Sequence, residues 1–546
     1  MTLPRLSDVS FSTRSWHADS VHDSVAAAAA FNATRIDWFY PEAAVVPDWA
    51  GHVAALRNGS SKRWITAAIN CGVSDTPALP VKGSNYTIGR AANIYGEPIK
   101  LPWLPNSWNL GCVNRPEYRA LVNQRAYLML KPGSLGGGGA DGLQHDDAEA
   151  NGIYATWSQR AGQRALHERG CFCDTCVAKF RARLNATLSA AALAALNISN
   201  ISSFDYRARL RDEVARNTTS PSSARLEVLF AAFQANSARE YQQWLKSELG
   251  ALARAWGAPR PPLSLNNGGA LCTECEAPTD AAPLNVSDFG MGELILSRLG
   301  LNSSTINASE WLERELPVRF LELAASAAAS AAAAGDAGRV SQIYTVPKSP
   351  YYADAEQLVS VCRRTIALGY ASGGLVMAPW DIFMGAKAPR LFANASDFAD
   401  LYSFVRDPRV SAVLDGFGNA TRISAGAAEG LVSFAGGAAP AAPPPIVLLR
   451  APTAPGAAPP PRRWAVHAVS WRGSGVDRAG AAVHLSPSFF GAAASLTVAA
   501  LLPEAGGAAR TPLNRTPAGG FCCVPRPRPS AAGRPSNWLV LDVGAV

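Results

Sequence analysis

The stretch Gly139-Ala-Asp-Gly-Leu-Gln-His-Asp-Asp-Ala-Glu-Ala-Asn151 places acid–base chemistry at the end of a short apolar run. Charged side chains at such a place are costly to desolvate unless they have a task or a partner. Asp146 and Asp147 are therefore candidates for a nucleophile or general acid/base, with His145 a candidate for binding hydroxyl groups. A lone Asp there serves equally well as a helix cap or turn residue, so the partners matter. Cleavage of a glycosidic bond takes two carboxylates: one protonates the leaving oxygen, and the other attacks the anomeric carbon or activates water. Phe289-Gly-Met-Gly-Glu293 offers Glu293 as the second group, with Met377-Ala-Pro-Trp-Asp381 holding Asp381 in reserve. Thr345-Val-Pro-Lys348 offers none. Trp16, Trp38 and Trp380, with His17 and Asp37, are candidates for stacking on and hydrogen-bonding a sugar, although any single aromatic suits an ordinary core.

These residues act together only if the fold brings their strand ends to one face. The first 410 residues alternate short apolar runs with helical patterns, the rhythm of parallel strands and crossover helices. Strands are expected at Asp8–Ser15, Arg35–Tyr40, Trp64–Asn70, Ala140–His145, Pro262–Asn266, Phe289–Glu293, Gln342–Val346 and Leu375–Pro379. Eight strands in this order fit an α/β class fold, the (β/α)8 TIM barrel, whose C-terminal strand ends converge on one face. Helices are expected over Pro116–Met129 and Ser222–Trp256, the latter with Leu226, Leu229, Phe230 and Phe233 at helical spacing. Composition shifts near residue 430. The expected division is a barrel over 1–430, an Ala/Pro-rich linker over 431–463 with one strand (Ile446–Leu449), and a small C-terminal all-β sandwich over 464–546.

With 48% hydrophobic and 17% charged residues among 546, the chain can bury large cores and is not of disordered type. The net charge of +8 comes without a dense basic block, which argues against nucleic acid as a partner. No run reaches the ~18–20 apolar residues of a membrane span. Asn-x-Ser/Thr occurs at 13 of 24 Asn, where chance gives about three. That enrichment, with an even 10 Cys, points to a secreted glycoprotein. Met1 to Ser20 has no apolar run of the signal-peptide type, so the leader is expected to be missing.

Cys171-Phe-Cys173-Asp-Thr-Cys176 is a dense cluster, and Cys112 lies earlier on the same expected face. Four thiolates at such spacing suit tetrahedral zinc, and two disulfides are the alternative that an oxidising compartment favours. Cys272-Thr-Glu-Cys275 is a second pair, read as a loop staple.

The block from Cys112-Val-Asn-Arg-Pro-Glu-Tyr-Arg119 through Ala140–Asp147 to Cys176 resembles barrel-type glycoside hydrolases. Its Cys-then-CxCxxC arrangement is similar to the structural zinc cluster of family-42 β-galactosidases, which implies a structural zinc on Cys112, Cys171, Cys173 and Cys176 and no catalytic cofactor. His467-Ala-Val-Ser-Trp471 through Phe489-Phe-Gly491 resembles the small sandwich that often follows such barrels. The catalytic pattern departs from that family, which has Asn-Glu after the fourth strand and Glu after the seventh, where this chain has His145-Asp146-Asp147 and Lys348. A carboxylate after strand four and another after strand six looks more like the α-galactosidase type of barrel. The reading is thus a glycosidase with Asp146 or Asp147 as nucleophile and Glu293 as acid/base, acting on a carbohydrate substrate. The rivals are a non-catalytic carbohydrate-binding barrel and a metal-dependent hydrolase using His17, His145 and the Asp residues as ligands.

Overall fold

The computed structural model describes residues 3–12, 21–39, 48–57, 63–70, 72–74, 89–99, 108–146, 171–218, 220–266, 286–292, 342–346, 355–380 and 393–416. Beyond these it describes 420–422, 432–435, 446–450, 463–469, 482–485, 496–504, 507–517, 520–522, 524 and 538–545.

Eight parallel strands form one sheet: β1 (Ser10–Ser12), β2 (Arg35–Phe39), β3 (Trp64–Asn70), β4 (Gly142–Asp146), β5 (Leu263–Asn266), β6 (Phe289–Gly292), β7 (Gln342–Tyr344) and β8 (Leu375–Val376). They neighbour one another in chain order. Just past β8, the Ala378 N–H donates to the Ser10 carbonyl at 2.8 Å, which brings the last strand back to the first. This is a (β/α)8 barrel, and every strand lies where the sequence pattern puts it. Around it run α1 (Val21–Ala30), α2 (Trp49–Arg57), α3 (Pro116–Leu130), α4 (Asp174–Thr187), α5 (Ala190–Ala195), α6 (Tyr206–Arg216), α7 (Pro221–Ala255), α8 (Ala355–Ala371), α9 (Ala399–Arg406) and α10 (Pro408–Gly416). Among the described residues no helix is long and apolar enough to cross a membrane.

Local chemistry explains these elements. α3 and α7 both begin with Pro at the first position, where its missing N–H costs nothing. Ser220 caps α7 by accepting from the Ser223 N–H at 3.2 Å. α7 is 35 residues long and spans about 52 Å. Its first half (Leu226, Phe230, Phe233) packs into a cluster with Cys112, Cys171 and Phe180. Its second half (Tyr241, Leu245, Leu249) packs on the barrel strands.

Two antiparallel sheets follow. One has six strands in the order β9 (Ala420–Arg422), β11 (Ile446–Arg450), β12 (Arg463–Val469), β18 (Trp538–Ala545), β14 (Leu496–Glu504) and β15 (Gly507–Pro512). The other has four, in the order β10 (Val432–Ala435), β13 (Ala482–Leu485), β17 (Phe521–Cys522) and β16 (Asn514–Arg515). The stretch expected as a linker therefore supplies two strands, β10 and β11. Strand periodicity is easy to follow in β18. Leu539, Leu541 and Val543 join Val483, Leu485 and Phe521 of the four-stranded sheet in one buried cluster. Trp538 and Val540, on the opposite face, belong to the barrel's own core. Trp538 meets Phe404 of α9 edge-on, with ring centroids 5.0 Å apart, and Tyr370 of α8 at 6.1 Å. The six-stranded sheet is thus covered on both faces.

Candidate functional site: the barrel rim and the cysteine cluster

The inner wall of the barrel can be traced from side-chain contacts. Arg35 on β2 reaches across the barrel to the Phe289 ring of β6, with its guanidinium carbon 5.6 Å from the centroid. Asp37, two residues on, faces the same way, and Thr66 of β3 donates to its Oδ1 at 2.7 Å. Residues in register across a parallel pair share a face. Thr66 pairs with Gly142, Ala68 with Gln144 and Asn70 with Asp146. Gln144 in turn pairs with Ser264 of β5. Gly142, Gln144 and Asp146 therefore face inward, as do Ser264 and Asn266.

Asp146 is the last residue of β4, half-buried at the C-terminal rim. The Asn266 amide at the end of β5 donates from Nδ2 to Asp146 Oδ1. A carboxylate held by a neighbouring strand end has a fixed direction, which a nucleophile or general acid/base requires. Sequence reasoning missed Asn266. The signal was the alternation of Leu263-Ser-Leu-Asn266, whose polar residues fall on the face that barrels usually fill with branched aliphatics. Below it Gln144 and Ser264 are fully buried, and among the described residues the Gln144 amide atoms and the Ser264 hydroxyl meet no hydrogen-bond partner.

Asp37 is inside the barrel but has no exposed surface. Its two oxygens accept from Ser10 Oγ at 2.7 Å, Thr66 Oγ1 at 2.7 Å, and Arg35 Nε and Nη2 at 3.2 and 3.1 Å. The structure puts Asp37 to work holding the buried Arg35, beneath the rim rather than on it. Burial pushes the nearby Asp8 carboxyl up, and Arg35 pulls it back down.

His145 alternates with Asp146 and so faces the helix layer. Its Nε2 lies 2.7 Å from the Tyr241 hydroxyl of α7, and its Nδ1 lies 2.9 Å from the Asp146 carbonyl. Burial lowers its pKa to about 4, so the ring is neutral at ordinary pH. This side of the wall leaves the ring a packing and hydrogen-bonding partner of α7, not a group at the mouth.

Trp38 has a φ of +63°, rare for a bulky side chain. It sits at a bulge between Ile36 and Phe39. The extra residue returns Phe39 to the outer face, where it stacks on Trp49 at 4.6 Å. Trp380, just past β8, stacks on Phe11 of β1 at 5.2 Å, over the seam that closes the barrel. Trp16, His17, Asp147, Glu293 and Asp381 lie outside the described residues. Of the candidates taken from sequence, the described structure thus puts Asp146 at the inner rim.

The four cysteines come together. Cys112 follows a two-stranded ribbon (Gly72–Ser74 with Trp108–Leu110), Cys171 and Cys173 lie just before α4, and Cys176 lies in its first turn. All four are buried, and their sulfurs lie within 4.8 Å of one another. Cys112 Sγ is 3.7 Å from Cys173 Sγ and 3.5 Å from Cys176 Sγ. A disulfide needs about 2.05 Å. A tetrahedron with metal–sulfur bonds of ~2.3 Å has edges of about 3.8 Å. The spacing is that of a metal cage, and these residues fit one. Supporting bonds surround it: Asn114 Nδ2 donates to Cys176 Sγ at 3.3 Å, and Gln234 of α7 donates to the Cys171 carbonyl at 3.1 Å. Bonds from Cys112, Cys171 and Cys176 hold the Cys173 thiol well below its ordinary range, while burial pushes Cys171 and Cys176 up. A cation at the centre reverses that second effect by binding thiolates. Cys522, in contrast, is disulfide-bonded.

No protein-family model matches the chain, and neither does any curated protein. Solved structures do. The glycoside hydrolase domain of PgaB (BpsB) from Bordetella bronchiseptica is 12% identical over 68% of this chain and 94% of that chain, with a TM-score of 0.35. A β-galactosidase from the psychrophilic Marinomonas ef1 is 12% identical over 71% and 57% of the two chains, with a TM-score of 0.43. An α-amylase from Geobacillus thermoleovorans is 8% identical over 99% of each chain, with a TM-score of 0.47. At these identities and scores the likeness carries no correspondence of residues, and the chemistry has to come from the site itself.

Proposed function

We propose that this chain is a glycoside hydrolase acting on an oligo- or polysaccharide at the C-terminal face of its barrel. The observation that carries the reading is Asp146, an inward-facing carboxylate at the β4 rim, with the Asn266 amide on one of its oxygens. Asp146 serves as the nucleophile or general base, and Asn266 sets its direction. Asp147, Glu293 and Asp381 are the candidates for the second carboxylate, with Trp16, His17, Trp38 and Trp380 for the sugar-binding wall. The two antiparallel sheets form a β-sandwich accessory domain. The cysteine cage holds a structural zinc that fixes the region of α4 to the barrel and takes no part in the chemistry. The disulfide at Cys522 supports a secreted protein.

The test is sugar release from aryl glycosides and polysaccharides by wild type and by Asp146→Asn, which keeps shape and removes charge. Turnover is expected to fall on the order of 10²–10⁴-fold. Unchanged turnover in the variant removes Asp146 from the mechanism. Glycan binding by wild type with no product identifies a non-catalytic carbohydrate-binding barrel instead.

A further inference from the structure

The asparagines of this chain divide into two structural populations. Seven of those in Asn-x-Ser/Thr sequons have described side chains: Asn32, Asn185, Asn197, Asn200, Asn217, Asn394 and Asn514. All seven are exposed. Six of those outside sequons have described side chains: Asn93, Asn109, Asn114, Asn123, Asn236 and Asn266. All six are buried or half-buried.

The amide nitrogen divides the same way. Outside the sequons, Nδ2 is a working donor at five of the six. Asn93 gives it to Glu97, Asn114 to Cys176, Asn123 to Glu248, Asn236 to Glu240 and Asn266 to Asp146. Within the sequons, only Asn197 donates from Nδ2 among the described residues, to Ser222 Oγ at 3.2 Å. At Asn200 the oxygen is engaged instead. Ser202, the hydroxyl residue of that sequon, donates to Asn200 Oδ1 from its N–H at 3.1 Å and from its Oγ at 2.7 Å, which leaves Nδ2 open to solvent.

Helix geometry accounts for part of this placement. Asn32, Asn197 and Asn217 have φ of +55°, +57° and +51° at or just after helix ends, a conformation Asn tolerates. Capping explains an Asn there. It does not call for a Ser or Thr two residues on, and it does not touch Asn185, inside α4, or Asn514, in β16.

We propose that these seven side chains are N-glycosylation sites. In the modification the Nδ2–C1 bond forms with the anomeric carbon of a lipid-diphosphate-linked oligosaccharide. The bond from that carbon to the diphosphate breaks, and the amide gives up one proton. Apart from the Asn197–Ser222 bond, these nitrogens donate to no group among the described residues, and all seven side chains are exposed, so a glycan at each displaces no packed group. Four of the sites, Asn185, Asn197, Asn200 and Asn217, lie on the helical segment that carries the cysteine cage. That segment is therefore the most heavily sugar-coated part of the described molecule. The proposal does not depend on the hydrolase reading.

The test is translation of the full chain behind an added secretory leader with endoplasmic-reticulum microsomes, protease protection being used to select the chains that have entered. Peptide-N-glycosidase F digestion in heavy-oxygen water then marks each formerly glycosylated Asn as a heavy Asp. Marked peptides at Asn185, Asn217, Asn394 and Asn514, and a mobility ladder that loses one step in each of Asn185→Gln, Asn217→Gln and Asn514→Gln, are the expected result. Asn197 and Asn200, three residues apart, are expected to share one glycan per molecule. Protected chains with no enzyme-sensitive ladder and no heavy Asp overturn the proposal.

Discussion

Asp37 and Asp146 both project from the barrel's inner wall, yet their surroundings give them opposite duties. Four hydrogen bonds fill the oxygens of Asp37, and its charge balances Arg35, itself 1% exposed. Breaking a buried pair by removing one partner typically costs about 3–5 kcal/mol. Asp37→Asn is therefore expected to lower the unfolding temperature sharply, as calorimetry reads it, without a selective change in substrate affinity. A KM change with unaltered stability contradicts this. His145 makes a pH prediction. Its folded pKa of about 4 lies below the ordinary 6.5 because burial disfavours the charged ring. Above pH 6.5 folded and unfolded chains bind the same number of protons at this site. Below it the unfolded chain gains a proton that the folded one refuses, so stability falls until about pH 4, by about 3 kcal/mol. His145→Gln is expected to flatten the stability profile in that window, measured by urea unfolding across pH. At this scale the sequence showed that Asp37, His145 and Asp146 were special residues. Strand alternation and depth decided which of them faces the mouth, and neither is visible until β4 and β2 have a register.

The elements were far more legible. The barrel strands are short segments with apolar residues bounded by turn or cap residues, and α3 and α7 announce themselves by Pro at the first position and an apolar stripe. What the pattern concealed was the bulge at Trp38, because an extra residue in a strand looks like ordinary alternation with one exception. It also concealed β10 and β15, whose Ala-, Gly- and Pro-rich surroundings carry little periodic signal. The cysteine cage belongs to this scale, because it ties the start of α4 to the loop ahead of α3. One metal ion per chain is expected by elemental analysis. Chelation, or Cys176→Ser, is expected to lower the unfolding temperature while wild type regains it on adding zinc. A chain that is metal-free as isolated and indifferent to chelators contradicts the cage.

At the scale of the whole molecule, the six-stranded sheet is as much a part of the barrel's covering as the helices are. Trp538 is wholly buried between Phe404, Tyr370 and His467, and its indole N–H donates to His467 Nδ1 at 3.3 Å. Beside it, Asp407 accepts from the Ala508 N–H, and Arg409 donates to the Ala508 carbonyl. Bonds from Arg409 hold the Asp407 pKa down to about 2, so this clamp stays charged at all but the most acidic pH. Truncating a buried Trp to Ala costs about 3–5 kcal/mol. Trp538→Ala is expected to uncouple the sheets from the barrel and split one calorimetric transition into two. A single transition at the wild-type temperature contradicts the coupling.

β18 has a further consequence that belongs to time rather than space. It lies in the middle of its sheet, between β12 and β14, yet it is made after every other strand there. Ribosomes add about 5–20 residues per second, so the sheet's first strand waits roughly 6–25 s for its centre to emerge. Once made, β12 and β14 each have an apolar edge that β18 fills, and a bare edge of that kind recruits strands from other chains. Loss of the last strand to an early stop codon or to proteolysis would leave both edges open for good. The sheet that covers the barrel is therefore closed at its centre by the strand made latest in it.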